Sequence, residues 1–187
     1  MIQIPLNIIV KLMDREIAIY DIDMTLIDAR LRYMTSMEKI GYPPTTPYHK
    51  LPKNKRMKFW DTFLDEKYLF LDKPIDETIN DLRSKYENNM GIILITGRPT
   101  RLEKATKRQL LEFNIPYHML IMRPQGNYDP DHILKLNIIE TLVNYGLNIQ
   151  EYHEDNVKTI RTVIERFPWI KVYHHKIKNF ETGFGLD

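Results

Sequence analysis

Cysteine is absent from the 187 residues. That excludes disulfide frameworks, thiolate zinc sites and cysteine nucleophiles together, and leaves any active site to carboxylates, hydroxyls, imidazoles and cations. A charge excess is missing too. With 27 Lys and Arg against 25 Asp and Glu, the net charge of +2 announces no polycationic nucleic-acid binder, although a local basic face is compatible with that total. The apolar N-terminal stretch, Met1 to Leu12, is broken by Gln3, Pro5, Asn7 and Lys11 and is too short to span a bilayer. No targeting signal is apparent, so a soluble, cytoplasmic protein without membrane contact is expected. Residues 1–12 fit three readings: an edge strand, a tail, or residues ahead of a start at Met13. At 43% hydrophobic the chain is too apolar for disorder. A chain of this length buries roughly 70% of its unfolded surface, enough for one core with an inserted lobe.

Short β-branched or aromatic runs recur at wide spacing: Glu16 to Tyr20, Ile92 to Ile95, Tyr117 to Met122, Asn148 to Tyr152 and Trp169 to Tyr173. Helical patterns fill the gaps. Ile75, Ile79, Leu82 and Tyr86 fall at helical offsets behind Pro74 with Gly91 as a stop, and Ile133, Leu134, Ile138, Ile139 and Leu142 form a stripe ended by Gly146. Strands alternating with helices predict an α/β fold, a doubly wound parallel sheet with right-handed crossovers, whose chemistry gathers at the carboxyl ends of the strands. Residues 28–73 break that rhythm. Leu31, Met34 and Met37, then Phe59, Trp60, Phe63 and Leu64, fall at helical spacing around a loop holding Pro43, Pro44, Pro47 and Pro52. The expected division is therefore a core of residues 13–27 and 74–187 with a small helical cap at 28–73, the methionines and aromatics forming the cap's own interior.

Asp21, Asp23 and Thr25 stand where the first strand ends. At strand periodicity the two carboxylates share a side and face the ligand crevice, although the same triplet would also serve as a turn or helix cap. Three further segments end strands in the same way. Thr96-Gly97-Arg98 follows the second, Arg123 follows the third ahead of the helix carrying Lys135, and Glu154-Asp155 follows the fourth. Lys135 alone would pass for an exposed helix lysine, and Thr96-Gly97 for a turn. His153, His174 and His175 read as packing or surface residues, since no third histidine sits at zinc-like spacing.

In this order the residues resemble the haloacid dehalogenase (HAD) superfamily, whose pattern is Asp-x-Asp-x-Thr, a Thr or Ser after the second strand, a Lys, and a final acidic pair. The resemblance runs from about Glu16 to Asn156. It implies a phosphatase in which Asp21 is the nucleophile and forms an aspartyl-phosphate. Asp23 is then the general acid and base, with a pKa expected to be raised by neighbouring carboxylates. Thr96, Gly97 and Lys135 would bind the transferring phosphoryl group. Mg²⁺ is the implied cofactor, held by Asp21, the carbonyl of Asp23 and Asp155, with Glu154 as substitute or support. The segment Leu120 to Lys135, with its Met-Arg and Gly-Asn loop, is similar to the 3′-phosphatase domain of polynucleotide kinase/phosphatase enzymes, which makes Arg98 and Arg123 expected phosphate clamps.

No Gly-x-x-x-x-Gly-Lys-Ser/Thr loop occurs, so no kinase half of the usual kind is encoded. The expected substrates are nucleic-acid 3′-phosphate ends, nucleotides or another small phosphomonoester. Lys50, Lys53, Lys55, Arg56 and Lys58, beside Tyr48, Phe59 and Trp60, would track a phosphate backbone with rings for base stacking, or form the solvated face of a basic loop. Two other readings stay open: a non-catalytic nucleic-acid or protein binding module on the same scaffold, and a phosphomutase or phosphotransferase.

Overall fold

A computed structural model describes residues 4–176; residues 1–3 and 177–187, the outer ends of the expected tail and core, lie outside the described residues. Leu6–Leu12 is a helix, α1, with Ile9 and Leu12 buried. This corrects the edge-strand and free-tail readings of residues 1–12. Pro5 stands at the position before the first helical turn, where its missing N–H costs nothing, and the residues after it bury a helical face against the core.

The strands Glu16–Tyr20 (β1), Gly91–Pro99 (β4), Met119–Arg123 (β5), Asn148–Glu154 (β6) and Lys171–His174 (β7) form one sheet in the order β5-β4-β1-β6-β7. Every pairing in it is parallel. Two short strands, Ile27–Asp28 (β2) and Lys73–Pro74 (β3), pair antiparallel as a separate ribbon. The helices in chain order are Arg30–Ile40 (α2), Lys53–Phe63 (α3), Asp76–Glu87 (α4), Glu103–Glu112 (α5), Asp131–Asn144 (α6) and Val157–Arg166 (α7). None of the described helices is long and apolar enough to cross a membrane.

Alternation along the strands explains the two helix layers. Ile17, Ile19, Ile93, Ile95, Met119 and Ile121 pack with α1, α6 and α7, whereas Ala18, Tyr20, Ile92 and Leu94 pack with Ile79 and Leu82 of α4 and Leu110 of α5. A third apolar cluster belongs to residues 24–63. Met24, Ala29, Tyr33, Met37, Ile40, Leu51, Phe59 and Phe63 are buried together.

Three local readings change. Pro74 pairs with Ile27 in the ribbon instead of opening α4, which begins at Asp76. Gly91 is the first residue of β4, not a helix stop; the left-handed turn after α4 falls on Asn89 (φ 65°). Glycine is needed at 91 because a Cβ would lie 2.3 Å from Ile17 Cδ1. Trp169 precedes β7 and is 59% exposed.

The chain reverses direction across the sheet at β1, from which β4 and β5 lie on one side and β6 and β7 on the other. In such sheets the ligand crevice opens beyond the carboxyl ends at that reversal. Packing of α1 can be tested separately. Leu12→Ala is expected to cost about 2–5 kcal/mol of unfolding free energy in urea denaturation. Leu6→Ala, at a residue 61% exposed, should cost less than about 0.5 kcal/mol. Equal and negligible effects would contradict the packing.

Candidate active site

Because Tyr20 is paired with Leu94 on one side and His153 on the other, the ends of β4, β1 and β6 lie abreast. Asp21 continues β1 by one residue, its N–H donating to the His153 carbonyl at 3.0 Å. Glu154 ends β6, and Thr96-Gly97-Arg98 run along the end of β4. Lys135 enters from α6 and is 2% exposed. Its Nζ lies 2.9 Å from Asp21 Oδ1, 2.9 Å from Asp131 Oδ2 and 2.7 Å from Glu154 Oε2. An ammonium has three donors, and these three carboxylates take them all.

Asp131 is a site residue that the sequence reasoning missed, although its place one helical turn before Lys135 was a usable signal. Its other oxygen accepts from Arg123 Nη2 at 2.9 Å. Arg123 also donates to the Gly97 carbonyl, Asn127 and the Asp129 carbonyl. Its guanidinium therefore braces the loop 124–130, and the expected phosphate clamp is already committed to protein partners. Gly97 earns its place by close approach, because a Cβ there would lie 2.6 Å from Asp131 Oδ1. The Thr96 hydroxyl is buried and accepts from the Arg98 N–H at 3.1 Å.

Glu154 is fully buried and engaged at both oxygens. Oε2 accepts from Lys135 and from Tyr152 Oη at 2.5 Å, and Oε1 accepts from the N–H groups of Asp155 and Asn156, each at 3.1 Å. Burial, only partly offset by Lys135, together with Glu154, Asp131 and Asp23, pushes the Asp21 carboxyl well above the usual carboxylate range. Burial, Glu154 and Asp21 do the same to Asp155. Lys135 moves upward as well: burial opposes its charge, but Asp131, Asp21 and Glu154 prevail and keep it an ammonium.

Asp21, Glu154 and Asp155 each offer a carboxylate oxygen within 4.8 Å of the others. The four carboxylates, Asp131 included, face two cations, Lys135 and Arg123. One divalent ion would offset that surplus, and hard oxygen donors are what Mg²⁺ takes. The residues therefore fit such an ion.

Asp23 lies apart from this group and corrects the expectation that neighbouring carboxylates raise its pKa. Arg32 Nη2 from α2 donates to its Oδ1, Arg98 Nη2 lies 2.7 Å from the same oxygen, and Arg98 Nε lies 2.9 Å from Oδ2. Burial would raise its pKa, but the two guanidiniums overcome that and hold the carboxyl well below the usual range. Its neighbours of consequence are thus cations, not carboxylates. Arg98, 1% exposed, has every nitrogen committed to Asp23, Asp72, Thr106 or Gln109, so a phosphate would have to compete with these partners for it.

In the basic stretch, Lys50, Lys53 and Lys58 are exposed. Lys55 instead caps α2, its Nζ 2.7 Å from the Ile40 carbonyl. Of the rings expected for base stacking, Tyr48 and Trp60 are half-buried. Phe59 is fully buried, and Trp60 packs against Tyr48, Phe59 and Phe63 at centroid distances of 5.7, 5.2 and 5.6 Å. His153 is a packing residue, stacked on Tyr20 at 3.9 Å and Tyr173 at 4.5 Å, and burial lowers its pKa to about 4.

Residues 53–166 match the family model of the polynucleotide kinase PNKP phosphatase domain. That span holds Thr96, Arg98, Arg123, Asp131, Lys135, Glu154 and Asp155, and begins after Asp21 and Asp23. Among curated proteins, none matches the chain. A solved structure of the Pnkp1/Rnl/Hen1 RNA repair complex is similar at 17% identity and a TM-score of 0.62, covering 89% of this chain and 44% of that one. The chain thus spans less than half the length of that relative. A predicted phosphatase from Clostridium acetobutylicum is similar at 15% identity and a TM-score of 0.63, with coverage of 86% and 84%. A haloacid dehalogenase-like hydrolase from Streptococcus pneumoniae is similar at 13% and 0.62, with coverage of 86% and 84%. At these identities the likeness is one of fold.

The carboxylate crowding generates a prediction with a definite sign. Asp155 binds its proton more tightly folded than unfolded. The stability this contributes is complete below the unfolded value of about 3.9 and is lost as pH rises through the folded value. Under chelation, Asp155→Asn should therefore be more stable than wild type at about pH 8, the gap closing as pH falls toward about 4. Magnesium at a hundred times its Kd should stabilise wild type by about 2.7 kcal/mol and the variant far less. Thermal melts that show a pH-independent gap, or equal stabilisation by magnesium, would contradict the reading.

Proposed function

The chain belongs to the polynucleotide kinase PNKP phosphatase-domain family of the HAD superfamily, and from that membership we propose that it is a divalent-metal-dependent phosphomonoester hydrolase acting through an aspartyl-phosphate on Asp21. The observation that carries the reading is the position of Asp21: buried at the tip of β1, with Lys135 Nζ at 2.9 Å and carboxylate oxygens of Glu154 and Asp155 close by. Asp21 and Asp155, with the backbone carbonyl of Asp23, would hold Mg²⁺. Glu154, whose oxygens are already occupied, would fix Lys135 behind them. When bound, the ion supplies positive charge beside the nucleophile and the transferring oxygens.

Asp21 attacks phosphorus through one carboxylate oxygen, forming a P–O bond as the bond to the ester oxygen breaks. The ester oxygen leaves with a proton from Asp23. Water then attacks the same phosphorus, the bond to Asp21 breaks, and the water's proton passes to Asp23. As the structure holds it, Asp23 is in the ionised form that the second step uses. An incoming phosphate dianion competes for the guanidiniums of Arg32 and Arg98, which raises the proton affinity of Asp23 when the leaving oxygen needs a proton. Lys135, the Thr96 hydroxyl and the Gly97 N–H would receive the phosphoryl oxygens. Residues 28–73 act in this reading as a cap that shields the site from water.

Family membership favours nucleic-acid 3′-phosphate ends and nucleotides as substrates. Lys50, Lys53 and Lys58 supply the exposed cations that a strand would meet. Phosphate release from 3′-phosphorylated oligonucleotides, nucleoside monophosphates, sugar phosphates and a nitrophenyl phosphate, with and without Mg²⁺, tests both parts. Wild type is expected to turn over with Mg²⁺ only, and Asp21→Asn to lose on the order of a thousandfold or more in kcat. Undiminished release by Asp21→Asn overturns the mechanism. Transfer of phosphate to a hydroxyl in place of water identifies a phosphotransferase, and binding with no turnover across the panel identifies a binding module. If a strand lies along the basic stretch, charge reversal of Lys50, Lys53 and Lys58 should lessen the salt dependence of oligonucleotide binding and leave nitrophenyl phosphate hydrolysis unchanged.

A further inference from the structure

Asp23, Arg32, Arg98 and Asp72 form a group of four charges, of which Asp72 has no part in the reaction sequence. Asp72, at the exit of residues 30–71 just before β3, has a side chain with no solvent exposure. Its Oδ1 accepts from Arg32 Nε at 2.8 Å, and its Oδ2 from Arg98 Nη2 at 3.3 Å and Gln109 Nε2 at 3.0 Å. Each arginine therefore bridges the same two carboxylates, Asp72 on the inner side and Asp23 on the site side. The group is neutral, as a dry cluster must be to persist.

The residues gathered behind Asp23 come from four places. Arg32 is on α2, Asp72 on the segment leading into β3, Arg98 on β4 and Gln109 on α5. Gln109 is itself fixed: Nε2 also donates to the Leu69 carbonyl at 3.0 Å, and Oε1 accepts from Arg98 Nη1 at 2.8 Å. Arg32 is further tied to the Phe63 carbonyl at 2.9 Å, with its guanidinium 4.2 Å from the Phe63 ring centroid. Neither guanidinium can move toward or away from Asp23 without breaking a bond to Asp72. A carboxylate that must reach a leaving oxygen within hydrogen-bond distance is sensitive to such anchoring, since a displacement of about 1 Å can cost on the order of a hundredfold in rate.

We propose that Asp72 is a positioning residue for Asp23: by drawing Arg32 and Arg98 inward it sets where the two guanidiniums hold the Asp23 carboxyl, and it does so through a contact that spans the inserted segment and the sheet. The proposal rests on the phosphatase reading, because it assigns Asp72 to the step that protonates the leaving oxygen. Losing Asp72 leaves two cations on Asp23 alone and pulls that carboxyl off its line to the substrate.

The test uses leaving groups of different basicity with the whole chain and Mg²⁺. Dinitrophenyl phosphate releases a phenolate that departs without a proton, whereas phenyl phosphate releases one that departs protonated. Because hydrolysis of the aspartyl-phosphate is common to both esters, the readout is kcat/KM, which reports only the steps up to departure of the leaving group: Asp72→Asn is expected to lower it for phenyl phosphate by on the order of tenfold or more, and to leave it within about threefold of wild type for dinitrophenyl phosphate. Gln109→Leu, which loosens Asp72 while keeping all four charges, should show the same selectivity to a smaller extent, and it decides the question if Asp72→Asn does not fold by circular dichroism. Equal losses on both esters mark a merely structural role and overturn the proposal, as does unchanged turnover of both. A wild type that hydrolyses neither ester, and none of the wider panel, overturns the functional reading and this proposal with it.

Discussion

The constraint on which the structure depends is the pairing of buried charge at the carboxyl end of β1. A carboxylate withdrawn from water is tolerated only when cations or donors replace the lost hydration. Lys135 supplies that replacement to Asp21, Asp131 and Glu154 at once, which requires β1, β6 and α6 to end within a few ångströms of one another. The parallel register of β1 with both neighbours meets that requirement, and the apolar alternation on the two sheet faces holds it in place. One lysine cannot neutralise all of the acids, so the site is built with a deficit of positive charge that suits a divalent ion.

A second charge group solves the same problem differently. Around Asp23 the cations are guanidiniums, whose planar forks reach two carboxylates each, and one of them comes from α2. The two aspartates two residues apart are thereby driven in opposite directions. Burial and like charge raise Asp21, whereas arginines lower Asp23. In the proposed reaction Asp21 must be ionised, which a divalent ion beside it would favour, and Asp23 must first gain a proton, which a phosphate drawing on its arginines would favour. Arg32 and Asp72, from residues 30–72, thereby bear directly on the second of these.

Much of this was legible before any coordinates. Period-two apolar runs marked the five strands of the sheet, and functional residues following those runs were readable because strand ends in a doubly wound sheet converge by topology. Asp21, Thr96, Lys135, Glu154 and Asp155 were singled out that way, and the structure brings them to one edge of the sheet. What escaped had no such address. Arg32, Asp72 and Gln109 look in sequence like ordinary polar residues of helices and turns; only the docking of residues 30–71 on the sheet brings them to Asp23. The pKa direction of Asp23 was misjudged for the same reason, since its nearest neighbours in sequence are acids and its nearest in space are arginines. Arg98 and Arg123 were expected to clamp phosphate, and each spends its donors on partners inside the protein. The helix at Leu6–Leu12 was hidden because Gln3, Pro5 and Asn7 break an apolar run that a strand reading needs continuous, while a helix needs only Ile9 and Leu12 on one face.

The central claim is that Asp21 becomes covalently phosphorylated, and the most direct measurement is acid quenching during turnover of a 3′-phosphorylated oligonucleotide with Mg²⁺, followed by mass spectrometry of the digested chain. The account predicts one phosphoryl group on the peptide carrying Asp21, absent from Asp21→Asn and lost on return to neutral pH. Steady turnover with no phosphoryl group on that peptide, or with one carried by another residue, would contradict it.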